Sequence, residues 1–109
     1  MGITKTQLFT ESQNELATIA KVLGHPARIA IIQYLLRQDQ CICGHLVDEL
    51  GLAQPTISQH LKELKGVGII RGTIEGNSVC YCINPDKWNE IQAQFSELFA
   101  AYRPNNNCC

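Results

Sequence analysis

The chain has 109 residues, enough for one compact domain but too few for a two-lobed enzyme with a cleft between its lobes. Apolar residues make up 45%, which excludes a disordered chain, while charged residues reach only 17%, below the roughly 25% usual in soluble domains, so covered apolar surface in an oligomer is expected. The formal net charge of −1 excludes a histone-like basic binder but not a local basic patch, and six cysteines beside one Met and one Trp call for a chemical explanation.

No run of 18 apolar residues occurs, and Met1 to Thr10 lacks the apolar segment of a secretory signal. A cytoplasmic location without a membrane is expected, where thiols serve as ligands more often than as structural disulfides. In chain order, residues 6–23 carry Leu8, Leu16, Ile19, Ala20 and Leu23 at helical spacing. Gly24-His25-Pro26 breaks that helix, and Pro26 suits the first turn of a second one, which ends near Gln38 and buries Ile29, Ile32, Leu35 and Leu36. Cys41-Ile42-Cys43-Gly44 leads into a short third helix with Leu46, Val47 and Leu50, stopped by Gly51. After the turn Leu52-Ala53-Gln54, Pro55 opens a fourth helix whose inner face is Ile57, Leu61, Leu64 and Val67.

Gly68 ends that helix, and residues 69–75 and 78–84 read as strands around Gly76-Asn77, a hairpin signal. Pro85 stops the second strand, and a last helix runs from about Asp86 to Tyr102. The expected fold is mainly α (α+β): a winged helix-turn-helix with a two-stranded wing over residues 1–104, then a flexible Cys-terminated tail, 105–109.

In such a unit the second helix of the pair enters the major groove. Its outward face carries Gln54, Thr56, Ser58 and Gln59, side chains able to bond base edges. Lys62, Lys65 and, at the base of the wing, Arg71 can hold phosphates, and His60 is a candidate backbone contact. Most amphipathic helices have a solvated polar face of this kind; the order helix, turn, helix, hairpin turns the reading toward double-stranded DNA.

His25-Pro26-Ala27-Arg28 with Ile29-Ala30-Ile31-Ile32, and Gln54-Pro55-Thr56-Ile57-Ser58-Gln59-His60-Leu61-Lys62-Glu63-Leu64, resemble the second helix and the helix-turn-helix of the ArsR/SmtB family of arsenic- and metal-responsive repressors. Gly68-Ile69-Ile70 and the Gly76 hairpin are similar to its wing. The resemblance covers roughly residues 15 to 100. It implies a homodimeric repressor that releases operator DNA when an effector binds; His25, His45 and His60 have no Ser or Asp at a catalytic spacing, so neither enzymatic activity nor a protein substrate is expected. Ala53 departs from the Ser that often caps the family's recognition helix, which removes about 1 kcal/mol of capping unless Gln54 or Thr56 substitutes.

The last helix carries Trp88, Ile91, Phe95, Leu98 and Tyr102 at spacings of 3, 4, 3 and 4, a heptad seam that Phe99 widens. With Leu8 and Leu16 of the first helix, it is read as a two-fold interface that sets two recognition helices about one DNA turn apart. The competing reading folds both stripes onto the domain's own core.

The cysteines form three pairs, Cys41/Cys43, Cys80/Cys82 and Cys108/Cys109. The first pair is placed at a helix start, where the thiolate is favoured. It resembles the family's thiolate effector motif, whose third cysteine is replaced here by Leu46; Cys108 or Cys109, folding back from the tail, is expected to complete the ligand set. Soft thiolates select As(III) or Sb(III), with Cd(II), Pb(II) or Zn(II) as alternatives. Cys80 and Cys82 flank Tyr81 on one strand face and read as packing residues, with a redox or auxiliary ligand role as the lesser alternative. The last helix has Asp86, Glu90 and Glu97 but no His, which speaks against the family's zinc site on that helix. A thiol redox-switched repressor, or a thiol-rich metal buffer with no DNA role, are the competing functions.

Overall fold

A computed structural model describes residues 5–38, 40–43, 50–74 and 79–104. Among the described residues, four α-helices accompany a small antiparallel sheet: α1 (Glu11–Leu23), α2 (Pro26–Leu36), β1 (Ile42–Cys43), α3 (Gln54–Gly66), β2 (Ile70–Thr73), β3 (Cys80–Ile83) and α4 (Pro85–Ala100). The architecture is the expected winged helix. The short helix expected before Gly51 and the tip of the hairpin, with the tail after Pro104, lie outside the described residues.

Local chemistry sets the helix ends. The first helix starts five residues later than its apolar stripe suggests, after a 3₁₀ turn at Lys5–Leu8. Thr10 Oγ1 accepts from Gln13 N at 3.0 Å while Thr10 N donates to Gln13 Oε1 at 2.9 Å, a reciprocal cap that fixes the start at Glu11. At α2, His25 Nδ1 accepts from Ala27 N at 3.1 Å and Pro26 takes the first helical position. At α4, Asn84 Oδ1 accepts from Lys87 N, with Pro85 following. Ala53 caps α3 with no side-chain bond, and neither Gln54 nor Thr56 substitutes: Gln54 Nε2 instead donates to Ser58 Oγ at 2.9 Å.

The core is one cluster drawn from every layer. Ile19 and Val22 of α1, Ile31 and Leu35 of α2, and Ile57, Leu61 and Leu64 of α3 meet Ile69, Ile70 and Tyr81 of the sheet region. Burying such side chains contributes about 1.5–3 kcal/mol each before entropy is charged against it.

The sheet departs from expectation by one strand. Within Cys41–Gly44, expected to lead straight into a helix, Ile42–Cys43 form β1, which pairs antiparallel with β3 and gives the order β1-β3-β2. The register aligns Ile42 with Tyr81 and Cys43 with Cys80, while β2 aligns Arg71 with Cys82, Gly72 with Tyr81 and Thr73 with Cys80. Side chains alternate across a sheet. Ile42 and the buried Tyr81 therefore share the inner face, and the cysteines share the outer one. Gly72 sits opposite Tyr81 with φ +129°, and a Cβ there would lie against Cys80 O and 2.8 Å from Tyr81 Cα. Only glycine allows β2 and β3 to approach this closely.

Candidate functional site

The outward face of α3 holds Thr56, Gln59, Lys62 and Lys65, all exposed, with Gln54 and Ser58 half-buried at its start. Gln59 Nε2 donates to Glu63 Oε1 at 3.2 Å, one turn on. Lys62, Lys65 and Gly66 line a cleft with Thr73 and Ile74 of the wing side, so cationic side chains stand where helix and wing diverge. Such a cleft suits a phosphate backbone. Arg71 is exposed on β2 but faces the cysteines rather than this cleft.

His60 does not join that face. It is only 8% exposed, turned toward the core side between Ile57 and Leu64. Its Nδ1 accepts from Arg28 Nε at 3.1 Å, and Arg28 Nη1 donates to Val22 O, also at 3.1 Å. The His25 and His60 rings lie 4.4 Å apart. Burial first, then the neighbouring His25 and Arg28 charges, hold the His60 imidazole below its ordinary value, against a weaker opposing pull from Glu63. The expected backbone contact is therefore corrected: His60 ties α3 to the end of α1 through Arg28. Sequence reasoning missed Arg28 as the centre of that link. The available signal was spacing, since residue 60 falls three after Ile57 and four before Leu64, within the apolar stripe.

The seam expected on α4 divides. Ile91 is buried, and Trp88 and Phe95 pack against the domain's own core. Leu98, Phe99 and Tyr102 beyond them are exposed at 54%, 72% and 77%, as is Leu8 at 62%, while Leu16 is half-buried. Lys87 Nζ joins α4 to α1 through Glu15 Oε1 at 3.2 Å.

The cysteines show the largest difference from expectation. Cys41 is joined to Cys82 and Cys43 to Cys80 as disulfides, with Cα–Cα distances of 4.4 and 4.1 Å. The reading of Cys80 and Cys82 as packing residues is thus overturned; Cys43 ends strand β1, and the helix start expected just after it lies outside the described residues. Both pairs have the short separation of residues that face each other without exchanging backbone hydrogen bonds, where side chains come closest. Cys108 and Cys109, expected to complete the ligand set, lie outside the described residues.

A winged helix whose α3 turns a polar and cationic face outward beside its wing defines a DNA-binding transcriptional regulator. The chain belongs to the arsR family of bacterial regulatory proteins, whose family model matches residues 25–71. It is 38% identical over 89 residues to an uncharacterised helix-turn-helix transcriptional regulator of Methanocaldococcus jannaschii, covering 81% of this chain and 99% of that one. It is 36% identical over 73 residues to the arsenical resistance operon repressor of Staphylococcus xylosus, covering 67% of this chain and 69% of the relative. In fold it is similar to an ArsR-like transcriptional regulator from Rhodococcus sp. RHA1, with a TM-score of 0.65 at 22% identity over 84% of this chain and 85% of the other. The family is one of transcriptional regulators, not enzymes. No helix among the described residues is long and apolar enough to cross a membrane.

Proposed function

We propose that this chain is a cytoplasmic repressor that binds operator DNA as a homodimer and leaves it when As(III) or Sb(III), or alternatively Cd(II), Pb(II) or Zn(II), is taken up by thiolates that include Cys41 and Cys43. The observation that carries this reading is adjacency. Cys43 lies on, and Cys41 just before, the strand paired with wing strand β3, and wing strand β2 runs from there toward the cleft of Lys62 and Lys65. Chemistry at the cysteines therefore acts on the support of the DNA-reading face, and an effector that favours a different wing geometry lowers operator affinity by linkage. The S. xylosus relative, by its name, represses an arsenical resistance operon. Exposed Leu8, Leu98, Phe99 and Tyr102 supply the apolar surface that a two-fold partner would cover. The test is operator binding by fluorescence anisotropy at fixed salt. Cys41→Ser with Cys43→Ser is expected to bind operator and to stay bound when arsenite is added. Release at the wild-type arsenite concentration would place the site elsewhere.

A second reading changes only the signal. The disulfide pairing favours a redox-switched repressor, since cytosolic disulfides are usually transient and sensing. Mild peroxide would then release operator with the loss of two hydrogens per disulfide in the intact mass. Release without a mass change removes this reading.

A further inference from the structure

We propose that Cys80 and Cys82 of the wing, together with Cys41 and Cys43, form one four-cysteine site that in its reduced state takes a single soft, thiophilic cation. The inference rests on the proposed function and deepens it: it names the remaining ligands and places them on the wing rather than on the tail.

The argument is one of register. On the outer face of the sheet, Cys41, Cys82 and Arg71 make one cross-strand row, and Cys43, Cys80 and Thr73 make the next. Across the strands the cysteine Cα atoms are 4.4 and 4.1 Å apart. Along each strand, residues two apart are separated by about 7 Å. Four thiolates on one tetrahedral ion, each at about 2.3 Å, lie about 3.8 Å from one another. Once reduced, the cross-strand pairs, with Cα atoms this close, can open to that sulfur spacing, and along the strand the side chains need to lean together by about 3 Å in all. Cys41 and Cys43 are exposed and Cys80 and Cys82 half-buried, so an ion can reach the face from solvent. Arg71 lines the same pocket as Cys41 and Cys82, and a guanidinium beside thiols favours the thiolate that binds metal.

Sulfurs joined as disulfides carry no thiolate to offer an ion, and the described residues hold no group of three or more His, Cys, Asp or Glu side chains poised to bind one. Oxidation and ion binding therefore exclude each other. A dithiol reductant gives two electrons and two protons to each disulfide and closes into its own cyclic disulfide, leaving four thiols. A divalent ion displaces their four protons and gains four sulfur bonds. Arsenite, as As(OH)3, instead exchanges three hydroxyls for three thiolates and releases three waters.

The test is Cd(II) titration of the full-length protein, reduced with dithiothreitol and then freed of it, followed by sulfur-to-cadmium charge-transfer absorption in the ultraviolet. One Cd(II) per chain is expected. Cys80→Ser with Cys82→Ser is expected to halve the absorption per bound ion and to weaken affinity at least 100-fold, since losing two ligands costs more than the roughly 10–100-fold that loss of a partner behind a ligand costs. Cys108→Ser with Cys109→Ser is expected to change neither. Protection from alkylation, mapped by mass spectrometry on the wild type, needs no variant to fold: Cd(II) should shield Cys41, Cys43, Cys80 and Cys82 alike. Peroxide-treated protein should take up no Cd(II) until a dithiol is added. Wild-type absorption and affinity in the Cys80/Cys82 variant, unshielded Cys80 and Cys82, or no Cd(II) uptake by reduced protein would each overturn the proposal. Operator anisotropy in parallel separates it from the proposed function. Arsenite release with Cys80 and Cys82 unshielded sinks only the four-cysteine site; four shielded cysteines on a protein that stays bound to operator sinks only the effector reading.

Discussion

Replacing Gly72 by alanine tests the close approach of β2 to β3, the strand that carries Cys80 and Cys82. Two costs are distinct. The first is conformational: φ of +129° is a region L-residues rarely occupy, at about 1–3 kcal/mol. The second is steric. The new methyl would meet Cys80 O and stand 2.8 Å from Tyr81 Cα, and both belong to backbone. Neither can swing aside as a side chain would; β3 must move. Tyr81 is 1% exposed, so that movement opens the core as well as the ladder. The sum is roughly 3 kcal/mol or more, which at about 4–8 °C per kcal/mol lowers Tm by at least about 12 °C. Gly51→Ala supplies the control. Gly51 also has positive φ, +69°, but a Cβ there meets nothing within 4 Å among the described residues. It should cost only about 1 kcal/mol. Both variants are melted by circular dichroism in reductant, at one protomer concentration. If Gly72→Ala melts within about 3 °C of Gly51→Ala, the inter-strand approach described here is wrong.

Three further outcomes follow from individual side chains. Ala53→Ser should raise stability by about 0.5–1 kcal/mol, at the low end for a cap because Pro55 has no N–H and only Thr56 N can reach the new hydroxyl; a Tm unchanged or lower would count against the observed start of α3. Tyr81→Phe should stabilise by about 1 kcal/mol in a urea melt, because the Tyr81 hydroxyl is buried without a partner among the described residues and its pKa is pushed up to about 12, chiefly by burial; destabilisation would reveal a bond that the geometry lacks. His60 is held below its ordinary value, so the unfolded chain binds its proton first: the stability it contributes is complete above about pH 6.5 and is lost as pH falls through the interval down to the folded value. Wild type should lose Tm across that interval and His60→Gln should lose less; equal slopes would assign the pH dependence to another group.

Much of this was legible in the sequence because helices carry their own punctuation. The 3–4 spacing of Ile57, Leu61 and Leu64, with proline at the start and glycine after, predicts α3 closely, and the same logic finds α4, the two hairpin strands and the extent of α2, but not the face of α2: Ile29 and Leu36, expected inside, are exposed, and Ile31 is buried instead. Two failures have physical causes. β1 is two residues long, too short for any period, and its existence depends on β3, some 40 residues on. With β1 unseen, Cys80 and Cys82 had nothing to face. The other failure concerns polarity. His60 and Ile91 were assigned outward by chemical type or by a heptad pattern, whereas their turn of helix points to the core. A polar residue inside an apolar stripe needs a partner, and Arg28 lies 32 residues away. Patterns along one element cannot supply such a partner.

The disulfides also change the topology of the chain. Cys41–Cys82 closes a ring across a separation of 41 residues, with the Cys43–Cys80 ring of 37 nested inside it. The elements proposed to read DNA, α3 and β2, lie within that macrocycle, while α1, α2 and α4 hang outside it. Closing the outer ring removes roughly 4 kcal/mol of loop entropy from the unfolded chain, and the inner one adds little because its ends are already held together. A protease that cuts the oxidised protein once between residues 44 and 79 would release nothing. The two fragments would migrate as one species until a reductant is added, and would then separate.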